Sequence, residues 1–215
     1  MKLIRPSHQI LSEIDSSKIL QSIERAGRTC YKSEEKMTDE SANKFVEMLI
    51  KRGHESVLEH QSLSVLFICD RGVSHEIVRH RLASFSQEST RYCNYSQDKF
   101  ENQLTFIIPE WCSFEEGEYS REFIQIDAGE AWFNAMILAE YYYKTLLAKG
   151  WSPQQARSVL PNSLKTEIVV TANMREWRTI FKQRTSAAAH PQMVELMKPL
   201  LEELQSILPS IFKDI

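Results

Sequence analysis

Six glycines are spread through 215 residues, and no two lie closer than the twelve positions separating Gly117 from Gly129. That spacing excludes G-x-G-x-x-G and G-x-x-x-x-G-K-[ST], which need glycines close together so that backbone can approach a phosphate. Any phosphate here must be held by side chains, isolated N–H groups or helix ends. The G-x-S-x-G elbow of many hydrolases is missing as well.

With 42% apolar and 26% charged residues the composition is that of a globular protein, and a chain of this size needs no disulfide or metal staple. Lys+Arg 26 against Asp+Glu 29 leaves a net charge of −3, which argues against a nucleic-acid partner. Unbroken apolar runs reach five residues, as at Val65–Cys69, whereas a bilayer span needs about 20. Met1–Pro6 lacks an apolar signal core. Cys30, Cys69, Cys93 and Cys112 form no C-x-x-C pair, which predicts free thiols. The expectation is a cytoplasmic protein with no membrane and no nucleic-acid partner.

Apolar periodicity predicts helices near Ser16–Gly27, Thr38–Arg52, Val73–Val78, Arg121–Lys149 and Pro191–Leu208, the last carrying Pro199 as a kink point. Short β-branched or aromatic runs predict strands at Ser62–Cys69, Leu104–Ile108 and Thr166–Ala172. Two helix starts are written out: Ser152-Pro153-Gln154-Gln155 as a capping box, and Asn173 as a cap with Glu176 three residues on. Together these predict an α/β (α+β) fold, a single domain over residues 1–215 with a central mixed or antiparallel sheet flanked by long helices. His75 and His80 are five apart, not the four that bring H-E-x-x-H to one helix face, so no metal site is expected.

The segment Arg79–Tyr92 holds three arginines, a histidine, three serines and a threonine in fourteen residues. Guanidinium forks with hydroxyls suit bidentate phosphate recognition. From its residues alone the segment also fits a surface loop with structural ion pairs or a non-catalytic nucleotide- or RNA-binding module.

The wording of the motif narrows this. Arg79-His80-Arg81 followed after seven residues by Ser89 matches R-H-R-x7-S. Gly53-His54-Glu55-Ser56 with Leu58-Glu59-His60, Ala156–Pro161, Asn173–Trp177 with Arg184, and Ala189-His190-Pro191 follow in order. In these elements, spread from about residue 26 to 195, the chain resembles the flavin-dependent thymidylate synthases.

The resemblance implies synthesis of dTMP from dUMP, with methylenetetrahydrofolate as carbon donor, FAD as hydride carrier and NADPH as reductant. It further implies a homotetramer with shared active sites. Arg184 would be the catalytic residue, stabilising charge as the pyrimidine N3 loses its proton. FAD would be held by His54, Ser56, Arg79, His80, Arg81, Gln87, Asn173, Met174 and Arg175. The dUMP would be held by Glu76, Arg79, Gln87, Glu88, Ser89, Thr90, Arg91, Arg157 and Arg184, with Ser89 favoured as a phosphate ligand over a nucleophile. Glu76, Gln87 and Thr179 depart from residues common in relatives. A flavoprotein oxidoreductase without methyl transfer is the enzymatic alternative.

Overall fold

The computed structural model describes residues 1–120 and 127–215. It is a mixed α/β fold whose strands are shared between two sheets: three strands in the order β5-β1-β6 and four in the order β2-β3-β7-β4. Their spans are β1 Lys2–Ile4, β2 Ser7–Ile10, β3 Ser62–Asp70, β4 Ala83–Gln87, β5 Thr105–Ile107, β6 Gly117–Glu118 and β7 Lys165–Asn173. The three strands expected from sequence are present as β3, β5 and β7. The other four carry too few β-branched residues, or are too short, to show an apolar run.

The chain divides into two compact units interleaved in sequence. The first comprises residues 1–7, 67–79 and 86–168. In it β1 pairs in parallel with β5 (Leu3 opposite Phe106) and antiparallel with β6. Helix α3 (Arg71–Ile77) starts on the Asp70 carboxylate, which accepts from Val73 N–H at 2.7 Å. Helix α4 spans Ala128–Ala148, opened by a reciprocal capping box between Asp127 and Glu130. The predicted start of this helix at Arg121 falls partly on 121–126, outside the described residues. Phe133, Met136 and Tyr143 from α4 are buried in one cluster with Leu3, Leu104 and Phe106, so its aromatic stripe is core. The short α5 (Pro153–Ala156) begins as predicted, with Gln155 Oε1 accepting from both Ser152 N–H and Oγ–H at 2.9 Å.

The second unit comprises residues 8–66, 80–85 and 169–215. Helix α1 (Ser16–Tyr31) is capped by Asp15 and ends with Lys32 in the left-handed region. Helix α2 (Ser41–Lys51) packs against it at Gly27, where a Cβ would lie 2.8 Å from the Phe45 ring. Only glycine allows so close an approach. Helix α6 (Met174–Arg184) carries the fully buried Trp177, whose indole N–H donates to Leu63 C=O at 3.1 Å and whose ring stacks on Phe181. Each such burial contributes roughly 1.5–3 kcal/mol. Helix α7 (Pro191–Ile207) contains Pro199 and is followed by α8 (Pro209–Phe212). Arg178, with a 1% exposed side chain, bonds both oxygens of Asp214 (2.6 and 2.8 Å) and Glu55 (3.2 Å). This ties the end of the chain to the turn after α2.

Candidate active site

Gly53, at φ +73, ends α2 and reverses the chain into a 3-10 turn over Glu55–His60. Buried Val57 and Leu58 anchor that turn and leave His54 and Ser56 exposed. The His54 Nδ1 lies 3.1 Å from the Tyr31 hydroxyl. In the same unit a cavity of about 390 Å³ is lined by Glu59, Ser62, Arg81, Leu82, Ser84, Thr171 and Asn173, among others. Arg175 pairs with Glu59 at 2.5 Å and offsets the carboxylate on that wall. Among the described residues the Arg81 side chain makes no hydrogen bond or ion pair. The donor set therefore suits an anionic ligand rich in hydrogen-bonding groups.

The start of α6 is turned inward. Asn173 caps it as predicted, its Oδ1 accepting from Glu176 N–H at 2.8 Å. Met174 is fully buried and its N–H is spent on Gln61 C=O at 2.8 Å. Of the residues expected there, Asn173 and Arg175 reach the surface and Met174 does not contribute its side chain to it. Thr179 returns its hydroxyl to Arg175 C=O, within the helix.

Arg184, in the last turn of α6, donates from Nε–H to His80 Nε2 at 2.9 Å, joining residues 104 apart in sequence. The imidazole is 7% exposed, and its Nδ1 lies 3.6 Å from Glu176 Oε1. Burial, and then the charge of Arg184, hold His80 below the ordinary histidine value of 6.5. Burial likewise pushes Glu176 above 4.5. At 3.6 Å the Glu176 contact is longer than a hydrogen bond, and with a neutral imidazole it is dipolar, not an ion pair.

The first unit carries the remaining arginines and hydroxyls. Arg79 is exposed, its N–H closing the turn onto Glu76 C=O at 3.1 Å. Gln87 donates from Nε2 to Ser74 Oγ (2.8 Å) and Thr166 Oγ1 (3.2 Å). Glu88 accepts from Tyr95 O–H at 2.9 Å and Lys165 Nζ at 3.2 Å. Burial first, and then the Glu88 charge, push the Tyr95 phenol up, so it stays a donor. Both side chains thus brace the segment from behind. Ser89 sits at a tight turn whose Tyr92 and Cys93 N–H groups donate to its carbonyl, and its Oγ accepts from Arg91 N–H at 3.3 Å. Among the described residues no imidazole or carboxylate bonds the Ser89 hydroxyl. Arg157 reaches Thr90 Oγ1 from the turn after α5, at 3.4 Å. Arg91 is exposed, its guanidinium 5.4 Å over the Tyr92 ring.

Three of the thiols, Cys69, Cys93 and Cys112, stand in environments that oppose activation. Burial pushes Cys69, Cys93 and Cys112 up, whereas a reactive cysteine is pulled down by neighbouring positive charge.

A protein-family model described as thymidylate synthase complementing protein matches residues 14–210. The chain belongs to this family. Similar curated proteins are the flavin-dependent thymidylate synthases of two Pyrococcus species and a Mycobacterium. Identity to the Pyrococcus furiosus protein is 31% over 179 residues, 83% of this chain and 68% of that relative. For Pyrococcus abyssi it is 32% over 171 residues, 79% of this chain and 65% of the relative. For Mycobacterium sp. (strain JLS) it is 35% over 208 residues, 89% and 78%.

For this member of the thymidylate synthase complementing protein family, the expected residues fall into two groups. His54, Ser56, His80, Arg81, Asn173, Met174, Arg175 and Arg184 lie in the second unit, and Glu76, Arg79, Gln87, Glu88, Ser89, Thr90, Arg91 and Arg157 in the first. Partners that escaped the sequence reading include Glu176, Tyr31, Ser74, Tyr95, Lys165 and Thr166. In the sequence Glu176 lies three residues after Asn173, where it reads as capping, and within the Asn173–Trp177 element. His190 lies at the N-cap of α7, immediately before Pro191.

Proposed function

We propose that this chain synthesises dTMP from dUMP in the cytoplasm by reductive methylation, as one catalytic domain over its 215 residues. Methylenetetrahydrofolate is the carbon donor and NADPH the reductant. The assembly is a homotetramer with sites shared between subunits, which would let residues of different copies serve one substrate. Family membership supports the reaction class, and the observation that carries the reading is the Arg184–His80 contact. It ties the R-H-R motif to the C-terminal arginine through one oriented hydrogen bond.

The chemistry follows from what a guanidinium can do. C5 of uracil is a weak nucleophile, and loss of the N3 proton enriches the ring in electrons. A fixed positive charge beside the ring stabilises the anion as it develops, without reorganisation at the moment of reaction. A guanidinium carries that charge throughout the working pH range. The raised thiols of Cys69, Cys93 and Cys112 support a route without cysteine addition. Ser89, Thr90, Arg91, Arg157 and Arg79 bind the phosphate dianion, and the absence of a base at Ser89 among the described residues supports that role over nucleophilic attack. Glu76 approaches the nucleotide, and Gln87 and Glu88 shape the turn that presents Ser89.

FAD, when bound, supplies the hydride. The cavity with Arg81, Ser62, Ser84 and Asn173 on its walls fits its phosphate and ribityl groups. His54, Ser56, Arg79, Arg81, Asn173 and Arg175 would hold it, with Gln87 and Met174 supporting neighbouring backbone. Purified protein should show a flavin absorption band and form dTMP only when dUMP, NADPH and methylenetetrahydrofolate are all present. Colourless protein that takes up no FAD, or flavin reduction without dTMP, would refute the proposal.

A further inference from the structure

A guanidinium only donates hydrogen bonds. Since Arg184 Nε–H points at His80 Nε2 at 2.9 Å, that nitrogen is the bare acceptor and the imidazole proton sits on Nδ1, facing Glu176 Oε1 at 3.6 Å. Glu176 and Arg184 are both on α6, about two turns apart, and His80 enters from a separate stretch of chain. All three belong to the second unit. The flanking residues point elsewhere: Arg79 and Arg81 are exposed, and His80 between them is buried. The side chain that the resemblance assigns to the cofactor is therefore engaged with the catalytic arginine.

We propose that His80 is a positioning residue for Arg184: accepting through a bare Nε2, the imidazole fixes the plane of the guanidinium that acts on the pyrimidine. This rests on the assignment of Arg184 made above. An arginine side chain has four rotatable bonds before its planar head, and one bond to Nε restrains the last of them. The neutral state of His80 is the one its surroundings favour, because a protonated imidazole would turn a second donor toward Arg184. A histidine serving only as packing would need neither tautomer.

The test uses holoenzyme variants assayed for dUMP-dependent tritium release, bound flavin and thermal midpoint. His80→Leu keeps bulk but has no acceptor. It should lose at least about tenfold in kcat, with KM for dUMP and flavin content within about threefold of wild type. In His80→Gln the amide oxygen can reach Arg184 Nε–H, and kcat should stay within about threefold of wild type. His80→Asn is too short to reach Arg184, and it carries the same expectation as His80→Leu should the latter not fold. Unchanged kcat without the acceptor would overturn the proposal. So would loss of flavin in His80→Leu, or equal losses in the leucine and glutamine variants. Arg184→Ala run in parallel separates the two levels. If it is fully active, the Arg184 assignment fails; if it is inactive while His80→Leu is normal, only the positioning role fails.

Discussion

The two units present arginine in opposite ways. In the first, Arg79, Arg91 and Arg157 are exposed and lightly held, the last by a single 3.4 Å bond to Thr90. In the second, Arg184 is half-buried and bonded through Nε to a buried imidazole backed by a carboxyl. An exposed guanidinium with few bonds suits capture of a dianion, since its donors are free to meet phosphate oxygens. A fixed one suits catalysis, because only charge already in place lowers a barrier. On the proposed reading, the difference separates binding from rate within one residue type.

That separation can be broken most sharply at Arg184. Replacing it with alanine should reduce turnover at least about 100-fold while leaving FAD bound. Unaltered turnover in a tritium-release assay would dissolve the contrast. Next in size is Arg91→Ala. Loss of a charge-assisted bond worth ~1.5–3 kcal/mol should raise the dUMP dissociation constant about tenfold or more. Isothermal titration should see that weakening, and kcat at saturating dUMP should hold. A smaller effect is expected of Ser89→Ala, which removes a neutral donor: weaker dUMP affinity with activity retained. Complete inactivity at saturating dUMP would instead revive Ser89 as a candidate nucleophile.

The smallest effect is a slope in stability against pH. Among the described residues, Arg184 and Glu176, both from α6, are the charged or titratable groups bonded to or in ion-pair range of His80. With His80 held below 6.5, the unfolded chain takes up that proton first. Its contribution is therefore complete above 6.5 and is lost as pH falls through the folded value. Glu176, held above 4.5, acts in the opposite sense: its contribution is complete below 4.5 and is lost as pH rises through its folded value. The difference in denaturation midpoint between wild type and His80→Gln should be constant above 6.5 and change as pH falls below it. Parallel curves throughout would show that His80 is not held neutral.

Much of the architecture was legible because it is written locally. The Asn173 and Ser152 caps, the apolar face of α1 and the strands β3 and β7 each follow from a few adjacent residues. β4 was not foreseen, since Ala83–Gln87 alternates small and polar side chains with one phenylalanine and presents no apolar run. The proposed site could be named from sequence as a set of residue types, yet the direction of each side chain could not. Glu176 shows why: a carboxylate three residues after an asparagine looks like a capping partner, and only the tertiary approach of His80 gives it another role. Gln87 and Glu88 make the same point from the other unit, where Ser74, Thr166, Tyr95 and Lys165 take up their polar atoms.

The central claim is that a held guanidinium, and no thiol, activates the pyrimidine. Tritium release from 5-labelled dUMP by a variant with Cys30 and Cys93 changed to Ser and Cys69 and Cys112 changed to Ala, beside Arg184→Ala, tests it directly. The account predicts near-normal release from the cysteine-free protein and almost none from Arg184→Ala. Loss of release on removing the cysteines from a folded, flavin-loaded protein, with Arg184→Ala still active, would contradict it.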